Sequence, residues 1–201
     1  MMNQSAKDII ANGEEFVEEL RTDKNGRYRS WEHCYSAFSQ CKDKVLTDAN
    51  ADYLCLHLAF YLASWGMYRG SSKLLQKDYR VHASTVEELM KKEYIDLWSI
   101  QCKELLSTDG KLVTLFILRD KLQEIYLHFG VTPTDTLITK ILMGTLGCAP
   151  AFDRYFKDGV KGKKDAHLVF NEKNMLDLSK YYVENSGKIR RAEKVCFYWW
   201  I

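Results

Sequence analysis

In the stretch "RYRSWEHCY", Arg27 and His33 pair a guanidinium able to hold a phosphate with an imidazole able to move a proton near neutral pH. In "SWGMYRGSS", Arg69 stands between Gly66 and Gly70 at a bend, where the guanidinium and the backbone N–H groups of a following helix would form an anion site. In "TKILMGTLGCAPAFDRYF", Lys140, Gly144 and Gly147 precede Pro150 and the adjacent charges of Asp153 and Arg154. Brought to one cleft, Trp31 and Trp65 would stack a flipped base, Arg69 and Arg154 would hold phosphates, and Asp153 would orient water or stabilise a cationic sugar. The same side chains have structural readings too. Arg69 would pair with a carboxylate, His33 would be hydrogen-bonded in the core, and Asp153 would be the acidic partner of Arg69 or Arg29, or a carboxylate favoured by its short helix's dipole.

The elements that must position these residues read as helices throughout. Ile9, Ile10, Phe16, Val17 and Leu20 give a first amphipathic helix over about Ser5 to Arg21, ended by "TDKNG". Ser30 caps a second, whose inner face is Trp31, Cys34, Tyr35 and Phe38. Tyr53 to Leu62 is apolar on every side, which predicts a buried hub helix, and "SSKLLQKDY" predicts a helix capped by Ser71 or Ser72. One long helix is expected over Thr85 to Leu106 from a Thr85/Glu88 capping box, and another over Gly110 to Phe129. "TPTD" places Thr132 at an N-cap and Pro133 at the first helical position, with Gly147 ending that helix. A short helix Ala151 to Lys157 and a last one from an Asn171 cap to a Gly187 stop complete an all-α expectation: one compact multi-helix domain, residues 1–201, around a buried central helix.

Composition narrows the function classes. With 46% apolar and 28% charged residues the chain can bury one sizeable core. Six cysteines lack a C-x-x-C pair and three sit in apolar helical patterns, which argues for reduced thiols in a cytoplasmic protein and against a zinc site or a disulfide framework. No signal peptide or membrane span is expected. No metal spacing links His82, His128 and His167, and the Gly-rich nucleotide loops and the G-x-S-x-G elbow are missing, so no metal or cofactor is implied. From Arg154 to Lys194 there are 11 Lys/Arg against 6 Asp/Glu, a basic third that suits DNA or RNA or forms a solvated helix face and loop. The terminal "EKVCFYWWI" is too apolar for water and should dock on the body or on a second copy, making a homo-oligomer. A non-enzymatic interaction module fits these features as well as a nucleic-acid enzyme does.

Two nucleic-acid enzyme families share these patterns. Arg27 and His33, with five residues between them, resemble the R-x(4–6)-H element of HEPN ribonucleases, all-helical proteins in which arginine and histidine cut RNA. "DTLITKILMGTLGCAPAFDRYFKDG" is similar to the second half of helix-hairpin-helix DNA glycosylases, and "LAFYLASWGMYRGSSKLL" resembles an apolar helix, polar turn and second helix in the same superfamily. That resemblance implies DNA-backbone binding by Gly144 and Gly147, and base excision promoted by Asp153. Lys140, one helix turn before Gly144, joins Asp153 as the candidate catalytic pair. "SWEHCY", "FYLASWGMYRGSS" and "APAFDRYF" together also resemble an uncharacterised bacterial all-helical family.

Overall fold

The computed structural model describes residues 6–161 and 168–189. Among these there is no strand, and nine α-helices follow one another: α1 (Ala6–Thr22), α2 (Arg29–Cys41), α3 (Asp48–Ser64), α4 (Ala83–Leu89), α5 (Cys102–Leu105), α6 (Lys111–His128), α7 (Asp135–Thr145), α8 (Arg154–Lys161) and α9 (Glu172–Ile189). The fold is all-α, as the periodicity requires. The basic stretch 162–167 and the apolar terminus lie outside the described residues.

Capping decides several boundaries. At the start of α3 the Thr47 hydroxyl accepts from the Asn50 backbone N–H while the Asn50 side chain accepts from Thr47 N–H, a reciprocal capping box. At α7 the cap is Thr134, whose Oγ1 accepts from Leu137 N–H at 3.2 Å; the start expected at Thr132 shifts by two, leaving Pro133 outside the helix. Asn171 caps α9 as expected, accepting from Asn174 N–H, but the helix passes through Gly187. Ser30 lies inside the first turn of α2 and donates to the Arg27 carbonyl instead of capping.

Two expected helices are broken, one by a tertiary hydrogen bond and the other by local ones. The long helix over Thr85 to Leu106 becomes α4, a 3-10 stretch Lys92–Leu97 and the single turn of α5. Ser99 takes a left-handed φ of 53° so that its N–H reaches the Leu146 carbonyl, and Glu88 accepts from Tyr94 and Lys91 rather than closing a capping box on Thr85. The segment after Arg69 forms short 3-10 turns at Gly70–Ser72, Leu74–Gln76 and Tyr79–His82, because Ser72 donates to the Met67 and Arg69 carbonyls and Lys73 turns left-handed.

The central helix is α7. Every residue from Leu137 to Leu146 is buried. The helix packs against α2, α3 and α6. The expected hub, α3, is enclosed on one side only: Leu54, Leu58, Tyr61 and Leu62 are fully buried, while Tyr53, Leu56 and Phe60 form a solvent-facing stripe. The two helices meet closely where Gly144 faces Tyr61. A Cβ at Gly144 would come within 2.3 Å of the Tyr61 ring, and the Tyr61 hydroxyl donates to the Lys140 carbonyl at 3.0 Å. This contact fixes the depth at which the Lys140 side chain leaves α7.

Candidate functional site

Lys140 is the buried charged residue on the enclosed helix, with 6% of its surface exposed. Its ammonium donates to the carbonyl of Trp65 at 3.0 Å, at the C-terminal end of α3, where a helix carries partial negative charge. It also lies 3.4 Å from Asp153 Oδ2 and 5.5 Å from the centre of the Trp65 ring. Asp153 immediately precedes α8, and its other oxygen accepts from Phe156 N–H at 3.1 Å. The lysine thus joins the end of one helix to the carboxylate that caps another. Gly147, in the left-handed region at φ 64°, ends α7 and lets the chain turn back through Pro150 to bring Asp153 beside Lys140.

Three cations converge on this point. Burial is the largest influence on Lys140 and lowers its pKa below the ordinary lysine value; the Asp153 carboxylate opposes that shift, and the charges of Arg69 and Arg27 push in the same direction as burial. Neither arginine forms an ion pair among the described residues. Arg69 is exposed and folds back over Gly66, whose φ of 72° and missing side chain leave room for it; a Cβ there would sit 2.6 Å from the guanidinium. Arg27, also exposed, donates to the Tyr28 hydroxyl at 2.9 Å and lies over the Tyr28 ring. Tyr28 in turn meets Trp65 edge-on at 5.5 Å between ring centres. The result is an aromatic wall of Tyr28 and Trp65, backed by the buried Tyr61 ring, close to two exposed guanidiniums and to the Lys140–Asp153 pair.

The sequence candidates divide accordingly. Lys140, Asp153, Trp65, Arg69 and Arg27 come together. Trp31 does not face this space, because its ring is buried and its N–H is committed to the Met143 carbonyl. Gly144 lies in the interior of α7 against Tyr61, and the Gly147 N–H is bonded to the Leu142 carbonyl, so neither glycine presents a free backbone donor to a phosphate. Arg154 is almost wholly exposed on α8 and pairs with Asp158 at 3.6 Å. His33 is exposed on α2, and the charge of Arg27 acts on Lys140.

Some of the arrangement escaped sequence reasoning. Tyr28 follows a candidate arginine but has no motif of its own, and its role emerges only when the α1–α2 loop is seen against the end of α3. Among the described residues no cluster of three or more His, Cys, Asp or Glu side chains is disposed to hold a metal, and no helix is long and apolar enough to cross a membrane. No family model matches the chain, and no curated protein or solved structure matches it significantly.

Proposed function

We propose that this protein binds nucleic acid through the Arg27, Arg69 and Lys140 cluster and acts on it by base excision at Asp153. The observation that carries the reading is three cations near the Trp65 and Tyr28 rings, the two exposed ones, Arg27 and Arg69, making no ion pair among the described residues, while Lys140 pairs with Asp153. Guanidiniums without a protein counter-ion suit phosphates, and the Trp65 and Tyr28 rings suit an unstacked base. In the excision step water bonds to C1′ of the sugar as the glycosidic C–N bond breaks. The bond's electron pair leaves with the base, which takes up a proton, and Asp153 receives the proton of the attacking water. Lys140 holds the Asp153 carboxylate in place and, when deprotonated, offers an amine at the same point.

Anisotropy with labelled single- and double-stranded oligonucleotides at several salt concentrations tests the binding. Each phosphate contact should contribute a slope of about −0.9 on a log–log plot for duplex, so Arg27→Ala and Arg69→Ala should each flatten it by about 1. An affinity that ignores salt removes the phosphate reading. Duplexes carrying altered bases, assayed for abasic product with wild type and Asp153→Asn, test the chemistry, and equal yields from the two proteins would exclude Asp153.

A further inference from the structure

A second recess opens beside Arg27, between the end of α1 and the start of α2. It encloses about 240 Å³ and is lined by Glu19, Leu20, Asp23, Gly26, Arg27 and Tyr28. Its walls are fixed by backbone bonds. Asp23 N–H donates to the Glu19 carbonyl at 3.0 Å, the Arg29 guanidinium donates to the carbonyls of Leu20 and Asp23, and Arg29 is itself held by Glu32 at 2.9 Å. Gly26 keeps the floor clear, since a Cβ there would stand 3.0 Å from Asp23 Oδ2. The volume lies below the roughly 300–1,000 Å³ of pockets that take drug-sized ligands, which suits one planar base.

The polar lining is selective. One Asp23 oxygen is taken by Asn25 N–H, but the Glu19 carboxylate makes no hydrogen bond or ion pair among the described residues. An uncommitted carboxylate is an acceptor with two parallel oxygens. Guanine presents two adjacent donors, N1–H and the 2-amino group, to such a partner. Adenine and cytosine offer one donor beside a lone pair, and uracil or thymine one donor between two carbonyls.

We propose that this recess takes a guanine base, read by Glu19, of a nucleotide whose phosphate lies on Arg27 and Arg69. The phosphate part rests on the nucleic-acid reading above, whereas the base part does not. The test is therefore direct titration of the full chain with GMP, IMP, AMP, CMP and UMP, and in parallel with the phosphate-free nucleosides guanosine and adenosine, followed by the perturbation of amide NMR signals of the α1–α2 loop.

The expected result is roughly tenfold tighter binding of GMP than of AMP, CMP or UMP, with IMP, which lacks the 2-amino group, in between. Glu19→Gln should erase the preference and leave AMP binding unchanged. Equal affinities for all the nucleotides, or a guanine preference that survives Glu19→Gln, overturns the proposal. A guanosine preference in a protein that binds no oligonucleotide would instead sink the phosphate reading and leave the base site standing.

Discussion

Removing one member of the Lys140–Asp153 pair should have unequal consequences, and the inequality follows from what each partner leaves behind. In Asp153→Asn the ammonium stays on the enclosed helix, its side chain 8% exposed, with the Trp65 carbonyl as its remaining acceptor and with Arg69 and Arg27 repelling it. Stranding a buried charge in this way costs about 3–5 kcal/mol. In Lys140→Met the carboxylate is left instead, but 19% of its side chain is exposed, it keeps the Phe156 N–H, and two guanidiniums are nearby. Methionine fills the methylene volume and needs no desolvation of charge, so the loss is chiefly the hydrogen bond to Trp65, about 1–2 kcal/mol. Urea denaturation with an unchanged slope should therefore rank Asp153→Asn as less stable than Lys140→Met by about 2 kcal/mol, or about 4–8 °C in Tm for a domain of this size. The double mutant should be less destabilised than the sum of the two. A Lys140→Met variant as damaged as Asp153→Asn, or strict additivity, would refute this account of the charges. The pH dependence carries the same sign. Because the folded state lowers the pKa of Lys140, the unfolded chain binds the proton more tightly, so stability rises with pH from the lowered value up to the ordinary lysine range. Wild type should gain on Lys140→Met across that alkaline window.

Two further predictions rest on neighbouring groups. Gly66→Ala should lose about 1–2 kcal/mol from its left-handed backbone and, by displacing the Arg69 guanidinium, should flatten the oligonucleotide salt slope as Arg69→Ala does; an unaltered slope would show that Arg69 does not depend on Gly66. His82 is fully buried between the hydroxyls of Tyr68 at 2.9 Å and Tyr126 at 2.7 Å, and burial lowers its pKa to about 3. The unfolded chain binds a proton in the interval from pH 6.5 down to 3 that the folded chain refuses, so stability should fall with acid by up to about 1.4 kcal/mol per pH unit, and His82→Asn should remove that slope in acid titrations followed by circular dichroism.

Periodicity made most helices readable, because an apolar stripe needs only the local sequence. Gly147 and Pro150 announce the turn that brings Asp153 back beside α7, whereas Lys140 is singled out only by the resemblance to helix-hairpin-helix glycosylases. What the stripe does not specify is the neighbour. Trp31 and Trp65 look alike in sequence, yet the indole N–H of the first finds a carbonyl inside the core while the ring of the second meets a lysine and a tyrosine. Gly144 looks like a hairpin glycine and is instead the notch that admits Tyr61. The break near Ser99 was hidden for the same reason: its hydrogen-bond partner, Leu146, lies far along the chain. Spacing pairs Arg27 with His33 and gives no sign that the charge of Arg27 also reaches Lys140, on a distant helix.

An ammonium on the most enclosed helix does little for stability that an apolar side chain of equal size would not do. The fold nevertheless places it close to two more cations and satisfies it with one carbonyl and one carboxylate. A group retained at such a cost is better explained by a ligand than by packing, and the explanation has a signature that packing lacks. Lys140→Met should leave most of the folding free energy intact while weakening the binding of phosphate-bearing ligands, whereas Gly144→Ala, which strikes the Tyr61 contact, should disturb folding first. If the two variants instead lose stability and binding in the same proportion, Lys140 is only a tie between the ends of α3 and α8.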